Sequence, residues 1–185
     1  MPRKCKNDYE PMNDKEMLLT ITKLNGTKKP AVFDTWNLKK VEQRQWHVTA
    51  NGYTKTGRDI GITDIIMGPP PDGFVWHHQN FLRGDNRESN LSLVTDSVNK
   101  VLRIRKGKKS LLPNGLFPTE SEKIRVRSVY KNHQPTMPNE RRAIEFRFHT
   151  LKKKGVKYDD ARYLLGQLSR KEYDDYWKIR TILGN

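Results

Sequence analysis

Two adjacent histidines, His77 and His78, open a stretch dense in groups that can do chemistry. It runs Trp76-His77-His78-Gln79-Asn80, then Gly84-Asp85-Asn86-Arg87-Glu88-Ser89-Asn90-Leu91-Ser92-Leu93-Val94-Thr95, and closes at Asn99. A neutral imidazole titrates near neutrality and can take a proton from water. Imidazole nitrogen, and amide or carboxylate oxygen, can also hold a divalent ion. Arginine offers a planar fork that pairs with phosphate. Cys5 is the only cysteine, so the sequence holds no Cys-x-x-Cys zinc site and no disulfide framework. Any metal must rest on His, Asn, Asp or Glu.

The charge points to the kind of substrate. Across 185 residues, 36 Lys and Arg face 21 Asp and Glu, a net +15. Such a field attracts polyanions: nucleic acid or an acidic membrane. No apolar run approaches the ~18 residues a membrane span needs. The start, Met-Pro-Arg-Lys-Cys-Lys, has no apolar stretch behind it, so no signal peptide and an intracellular location are expected. The excess is local: residues 101–157 carry 16 bases and 4 acids, while residues 158–185 carry 5 of each. Arg103, Arg105, Lys106, Lys108 and Lys109 begin that basic run, which reads as an arm that tracks phosphates.

The elements that must position the reactive stretch follow from pattern. The first ~15 residues read as loose. Leu18 to Leu24 and Trp46 to Ala50 read as strands, and Asn51-Gly52 as a hairpin turn. Asp59 to Met67 fits either a strand or a short helix, ended by Gly68-Pro69-Pro70-Pro71-Asp72-Gly73. Phe74 to His78 reads as a short strand, Gln79 to Asn90 as a loop, and Leu91 to Thr95 as a second strand. Asp96 or Ser97 can cap a helix beginning near Val98. Further on, Thr119 with Glu122 forms a capping-box pattern, Asn139 precedes another helix ended by Gly155, and a helix pair follows. The expected organisation is α+β: N-terminal strands and the reactive core in residues 1–105, a basic linker 106–118, and a mainly helical DNA-binding region 119–185.

This array resembles the HNH motif of phage and intron-encoded homing endonucleases. Asn90 follows His78 by 12 residues and Asn99 follows it by 21, as in that family. Asp85-Asn86-Arg87, Asn90-Leu91 and Val94-Thr95 also agree. The likeness covers roughly residues 51–99, including the Met67-Gly68-Pro69-Pro70 turn, and does not extend to the C-terminal half. It implies a ββα-metal core: a strand ending in the catalytic His, a loop, a strand, and a helix that supplies a metal ligand. It also implies hydrolysis of DNA phosphodiesters.

On that resemblance, His78 is the general base that activates water. His77 and Asn99 are the ligands of one divalent ion, and Asn90 ties the loop backbone so that His78 points correctly. Many homing members carry Asp where this chain has His77. The exchange leaves the ion open: Mg2+ or Mn2+ by the family habit, Zn2+, Ni2+ or Co2+ by the softer ligand. Neighbours on an ideal strand face opposite ways, so His77 and His78 share one phosphate only if the strand ends or twists there. Otherwise His77 is a core histidine. At least one of Arg83 and Arg87 is expected to contact a phosphate near the cut, the alternative being a bridge to Asp85 or Glu88.

The implied partner is double-stranded DNA, bound by a monomer or homodimer; one active site per chain cuts one strand. Two alternatives stand beside this reading: a non-catalytic nucleic-acid-binding module on a degenerate HNH domain, and a restriction or toxin-type HNH nuclease.

Overall fold

The computed structural model describes residues 6–57, 59–103, 116–121, 123–127 and 134–184. The chain is α+β and folds as two units, Met1–Leu93 with Arg170–Asn185, and Val94–Ser169.

The first unit is built on an antiparallel sheet ordered β1-β2-β3: β1 (Lys6–Pro11), β2 (Glu16–Thr22) and β3 (Lys28–Asp34). β2 alternates buried with half-buried residues, and the second half of β3 is buried throughout, as a strand covered on both faces requires. Met17, Leu19 and Ile21 of β2 join Ala31 and Phe33 of β3 on one face. There they pack on Val41 of α1 (Leu38–Val41), Trp46 of β4 (Trp46–Val48), and Ile62 and Ile66 of α2 (Ile62–Met67). Trp46 is fully buried, and its indole N–H donates to Val41 O at 2.8 Å. β4 pairs with β5 (Thr54–Thr56) across the expected turn, where Gly52 takes a φ of 84°. The ambiguous segment before Gly68 is helical only over Ile62–Met67.

The other face of the sheet is covered by the last helix. Val32 of β3 packs with Leu82, and with Ile179 and Leu183 of α6 (Arg170–Leu183). This changes the expected division of the chain: α6 belongs with the N-terminal strands rather than with a separate helical region. Its apolar residues Ile179 and Leu183 lie four apart on one stripe, the spacing that lets a helix cover a sheet. β6 (Phe74–His78) pairs with β7 (Leu91–Thr95), and α3 (Asp96–Leu102) follows at once. The cap is Thr95, one residue before those expected: its hydroxyl accepts from Val98 N at 3.3 Å.

The second unit holds a sheet ordered β10-β9-β8: β8 (Leu116–Pro118), β9 (Ile124–Val126) and β10 (Thr136–Met137). The Thr119 capping pattern therefore starts no helix. Thr119 N–H and its hydroxyl both bond Lys123 O, at 2.9 and 2.8 Å, and turn β8 into β9. α4 (Glu140–Lys153) is capped as expected, with Asn139 Oδ1 accepting from Arg142 N at 3.0 Å. Its Ala143 packs with Leu116, Ile124 and Val126. α5 (Tyr158–Leu164) follows Gly155, which holds a φ of 85°. Residues 106–115 of the expected linker lie outside the described residues, as do Arg105, Lys106, Lys108 and Lys109. Among the described residues no helix is long and apolar enough to cross a membrane.

Candidate functional site

The reactive stretch is fixed to the rest of its unit by a sheet edge. β3 is the outer strand of its sheet, and the loop between β6 and β7 pairs with its open side. Val32 N–H donates to Gly84 O and Asn86 N–H donates to Val32 O, both at 2.7 Å. Gly84 fits tightly there. A Cβ would stand 2.7 Å from a Leu183 methyl and 3.2 Å from Pro30 O.

Charge locks the same loop. Asp85 is fully buried and receives two hydrogen bonds at 2.8 Å from Arg87, through Nε and Nη2. Arg87 also reaches Glu16 at 2.7 Å and Asp175 at 2.8 Å. Burial alone would lower the Arg87 pKa, but the bonds to Asp85 and Asp175 outweigh it and raise it. Arg87 therefore makes the bridge to Asp85 that the sequence allowed; its fork is spent on carboxylates rather than held out toward a phosphate. Glu88 turns elsewhere, accepting from the Trp36 indole at 2.9 Å and Asn37 Nδ2 at 2.8 Å.

Asn90 spans the loop from within. Its Oδ1 accepts from Asn80 N at 3.0 Å, and its Nδ2 donates to Asp85 O at 2.8 Å. Asn80 in turn donates to Asp85 Oδ2 at 2.7 Å and accepts from Leu82 N at 2.9 Å. These buried amides use both donor and acceptor, so little is left for reaction chemistry. Phe81 completes the bend with a φ of 63° and donates its N–H to His78 O at 2.9 Å. A bulky residue in that left-handed region costs roughly 1–2 kcal/mol, a strain the surrounding network must hold.

The two histidines have different surroundings. The His77 ring packs edge-on to Phe81 with centroids 5.2 Å apart. His78 sits 3.2 Å from Asn86 Oδ1 through Nε2, and 6.2 Å from the Tyr53 ring. A cavity of about 270 Å³ opens beside it, lined by His78, Asn86, Tyr53, Lys55, Asp64 and Trp76 among others; His77 is not in that lining. Burial pushes the His78 pKa down to about 4, against opposing effects from Asn86 and Asp85. The ring is neutral at pH 7. Asn86 Nδ2 donates to Gly84 O at 3.1 Å, which leaves Oδ1 facing His78. Nε2 is then the protonated nitrogen, and the Nδ1 lone pair is the one able to accept a proton.

Arg83 is exposed, lies 4.7 Å from the centre of the Tyr53 ring, and donates to Asn51 O. It is a cation beside the cavity wall. Arg103 is exposed just after α3, and Asn99 stands on α3 within the second unit. Among the described residues, no three His, Cys, Asp or Glu side chains gather in a way that could hold a metal. The set thus brings together His78, Asn86, Tyr53 and Arg83, with Asn90 behind them. Sequence reading left Asn86 and Tyr53 without a role. Asn86 lay inside the quoted motif, whereas Tyr53 had only its hairpin turn as a signal. Compared with protein families, with curated proteins and with solved structures, the chain matches none of them.

Proposed function

We propose that the protein is a metal-dependent HNH endonuclease that hydrolyses DNA phosphodiester bonds, of the homing type that nicks or cuts at a site. The observation that carries this reading is His78: a neutral imidazole, held by Asn86 at a cavity, with Asn90 twelve residues on bracing the loop. The order β6, loop, β7, α3 supports a ββα-metal core around it.

In this reading His78 takes a proton from the attacking water through Nδ1. A pKa near 4 makes it a weak base on its own. A phosphate anion against the ring favours the imidazolium and strengthens it. Asn86 holds the ring, and Asn90 holds the loop that carries Asn86. Arg83, above Tyr53, is the cation placed to meet a phosphate oxygen. DNA is the partner, and the basic run from Arg103 through Lys109 adds backbone contacts.

A divalent ion belongs to the proposal, with His77 and Asn99 as its protein ligands. The donor chemistry fits: one imidazole nitrogen and one amide oxygen suit an ion that keeps waters and binds substrate phosphate, as Mg2+ does, or a borderline ion such as Mn2+ or Zn2+. When bound, the ion neutralises charge on the phosphate and the departing oxygen.

The test is plasmid nicking in Mg2+ or Mn2+, with and without chelator. Wild type should nick only with metal, and His78→Ala should lose at least about a hundredfold in rate, the usual share of a general base. Nicking by His78→Ala at the wild-type rate would sink the assignment. A second reading, a DNA-binding module without catalysis, draws on the burial of His78, which is only 6% exposed. Metal-independent binding with no nicking by wild type would favour it.

A further inference from the structure

Arg147, in the second unit, is a buried cation that no described carboxylate pairs. It lies on α4 facing the β8–β9 sheet and is 3% exposed. Its Nη1 donates to the carbonyl of Arg127. Its Nε is buried and makes no hydrogen bond among the described residues. No carboxylate pairs with it there, and the charge that acts on it most is a second cation, Arg127, which packs its own guanidinium 5.3 Å from the Phe117 ring.

A buried guanidinium normally has a carboxylate partner, because desolvating a charge costs several kcal/mol. Arg87 shows that pattern in the first unit, with three carboxylates around it. Among the described residues Arg147 has none, and the sequence offers few. Residues 94–169 hold 18 bases and 7 acids. Glu145 is engaged on the exposed side of α4 by Arg141 and Arg142, at 3.2 and 3.3 Å. Residues 104–115 and 128–133 contain no acid, and Glu122 is the one acid of this unit outside the described residues. Burial and Arg127 together lower the Arg147 pKa to about 10, so the group stays charged at pH 7. Among the described residues the charge is buried and meets no carboxylate.

We infer that Arg147 is an anion site completed by a backbone phosphate of bound nucleic acid, with Arg127 as the neighbouring charge. A phosphate oxygen can accept from the guanidinium donors that the protein leaves over, and it supplies the missing negative charge. The second unit is the fitting place, with 18 bases against 7 acids where the first unit has 18 against 14. The inference rests on the nucleic-acid partner proposed above, and it holds whether or not the chain cleaves.

The experiment compares wild type with Arg147→Met, which keeps the aliphatic stem and removes the charge. Binding of a fluorescent duplex is read in chelator at several salt concentrations. The variant should bind about tenfold more weakly, and the slope of log affinity against log salt should fall by about one. Its Tm should be equal or higher, since an uncompensated buried charge has gone. Unchanged affinity and slope would overturn the inference. Should Arg147→Met fail to fold, the wild type still decides: the Arg147 Nε–H resonance must shift at saturating duplex. A resonance that stays put, or that moves with inorganic phosphate but not with duplex, overturns it. His78→Ala separates the two proposals, because it removes nicking while leaving this binding and its salt slope in place.

Discussion

Acidifying this protein below about pH 6.5 should cost it stability through His78. The imidazole titrates at about 6.5 when exposed and at about 4 in the fold, where burial disfavours its charged form. The unfolded chain therefore takes up a proton at a pH where the folded chain does not. The stability is fully present above about pH 6.5, declines as pH falls, and is lost by about pH 4. A shift of this size corresponds to about 3 kcal/mol, at 1.36 kcal/mol for each unit. His78→Gln removes the titration, and urea unfolding of both proteins in chelator isolates it. The gap between wild type and variant should shrink by about 3 kcal/mol between about pH 7 and about pH 4. Glu16 and Glu88, whose pKa values are lowered, and Asp34, whose pKa is raised, contribute equally to both proteins and cancel. A gap that stays constant across the window would refute the picture of a dry, neutral imidazole.

Arg87→Met should destabilise the fold by about 3–5 kcal/mol, the usual cost of stranding a buried partner, because Asp85 is left charged and fully buried. Urea unfolding reads it, and a loss below about 1 kcal/mol would mean the network is not what holds the loop. Gly84→Ala should cost about 1–3 kcal/mol through overpacking against Leu183 and Pro30 O. The deeper Leu183→Ala, Gly84→Ala double variant should recover part of that loss, and a purely additive result would count against the close contact.

The local part of this structure could be read from local signals. The β4–β5 hairpin announces itself in Asn51-Gly52, and the strand-loop-strand-helix order around His78 follows from alternation and one cap. The remainder depends on partners far along the chain. β1 is made of Lys6, Asn7, Asp8, Tyr9 and Glu10, polar residues that look loose until β2 pairs with them. β3 begins with Lys28, Lys29 and Pro30 and hides its apolar half in the same way. The Thr119 pattern is a good local cap, overridden by pairing between β8 and β9. Arg87 had two local outcomes open, and the choice was made by Glu16 and Asp175, 71 and 88 positions away. The Tyr53 ring stands beside His78 from the turn between β4 and β5, a meeting that no spacing in the motif encodes.

The pinning of the loop to β3 and α6 also sets when the site can exist. Its hydrogen bonds need Val32, its ion pairs need Glu16 and Asp175, and its close packing needs Leu183 at the end of α6. During synthesis, β6, the loop and β7 are complete long before α6 emerges from the ribosome. Until then Arg87 lacks Asp175 and Gly84 has no helix to close on, so Asn86 is not yet held against His78. A nascent chain carries every residue of the motif before the arrangement is complete, and completion waits for α6.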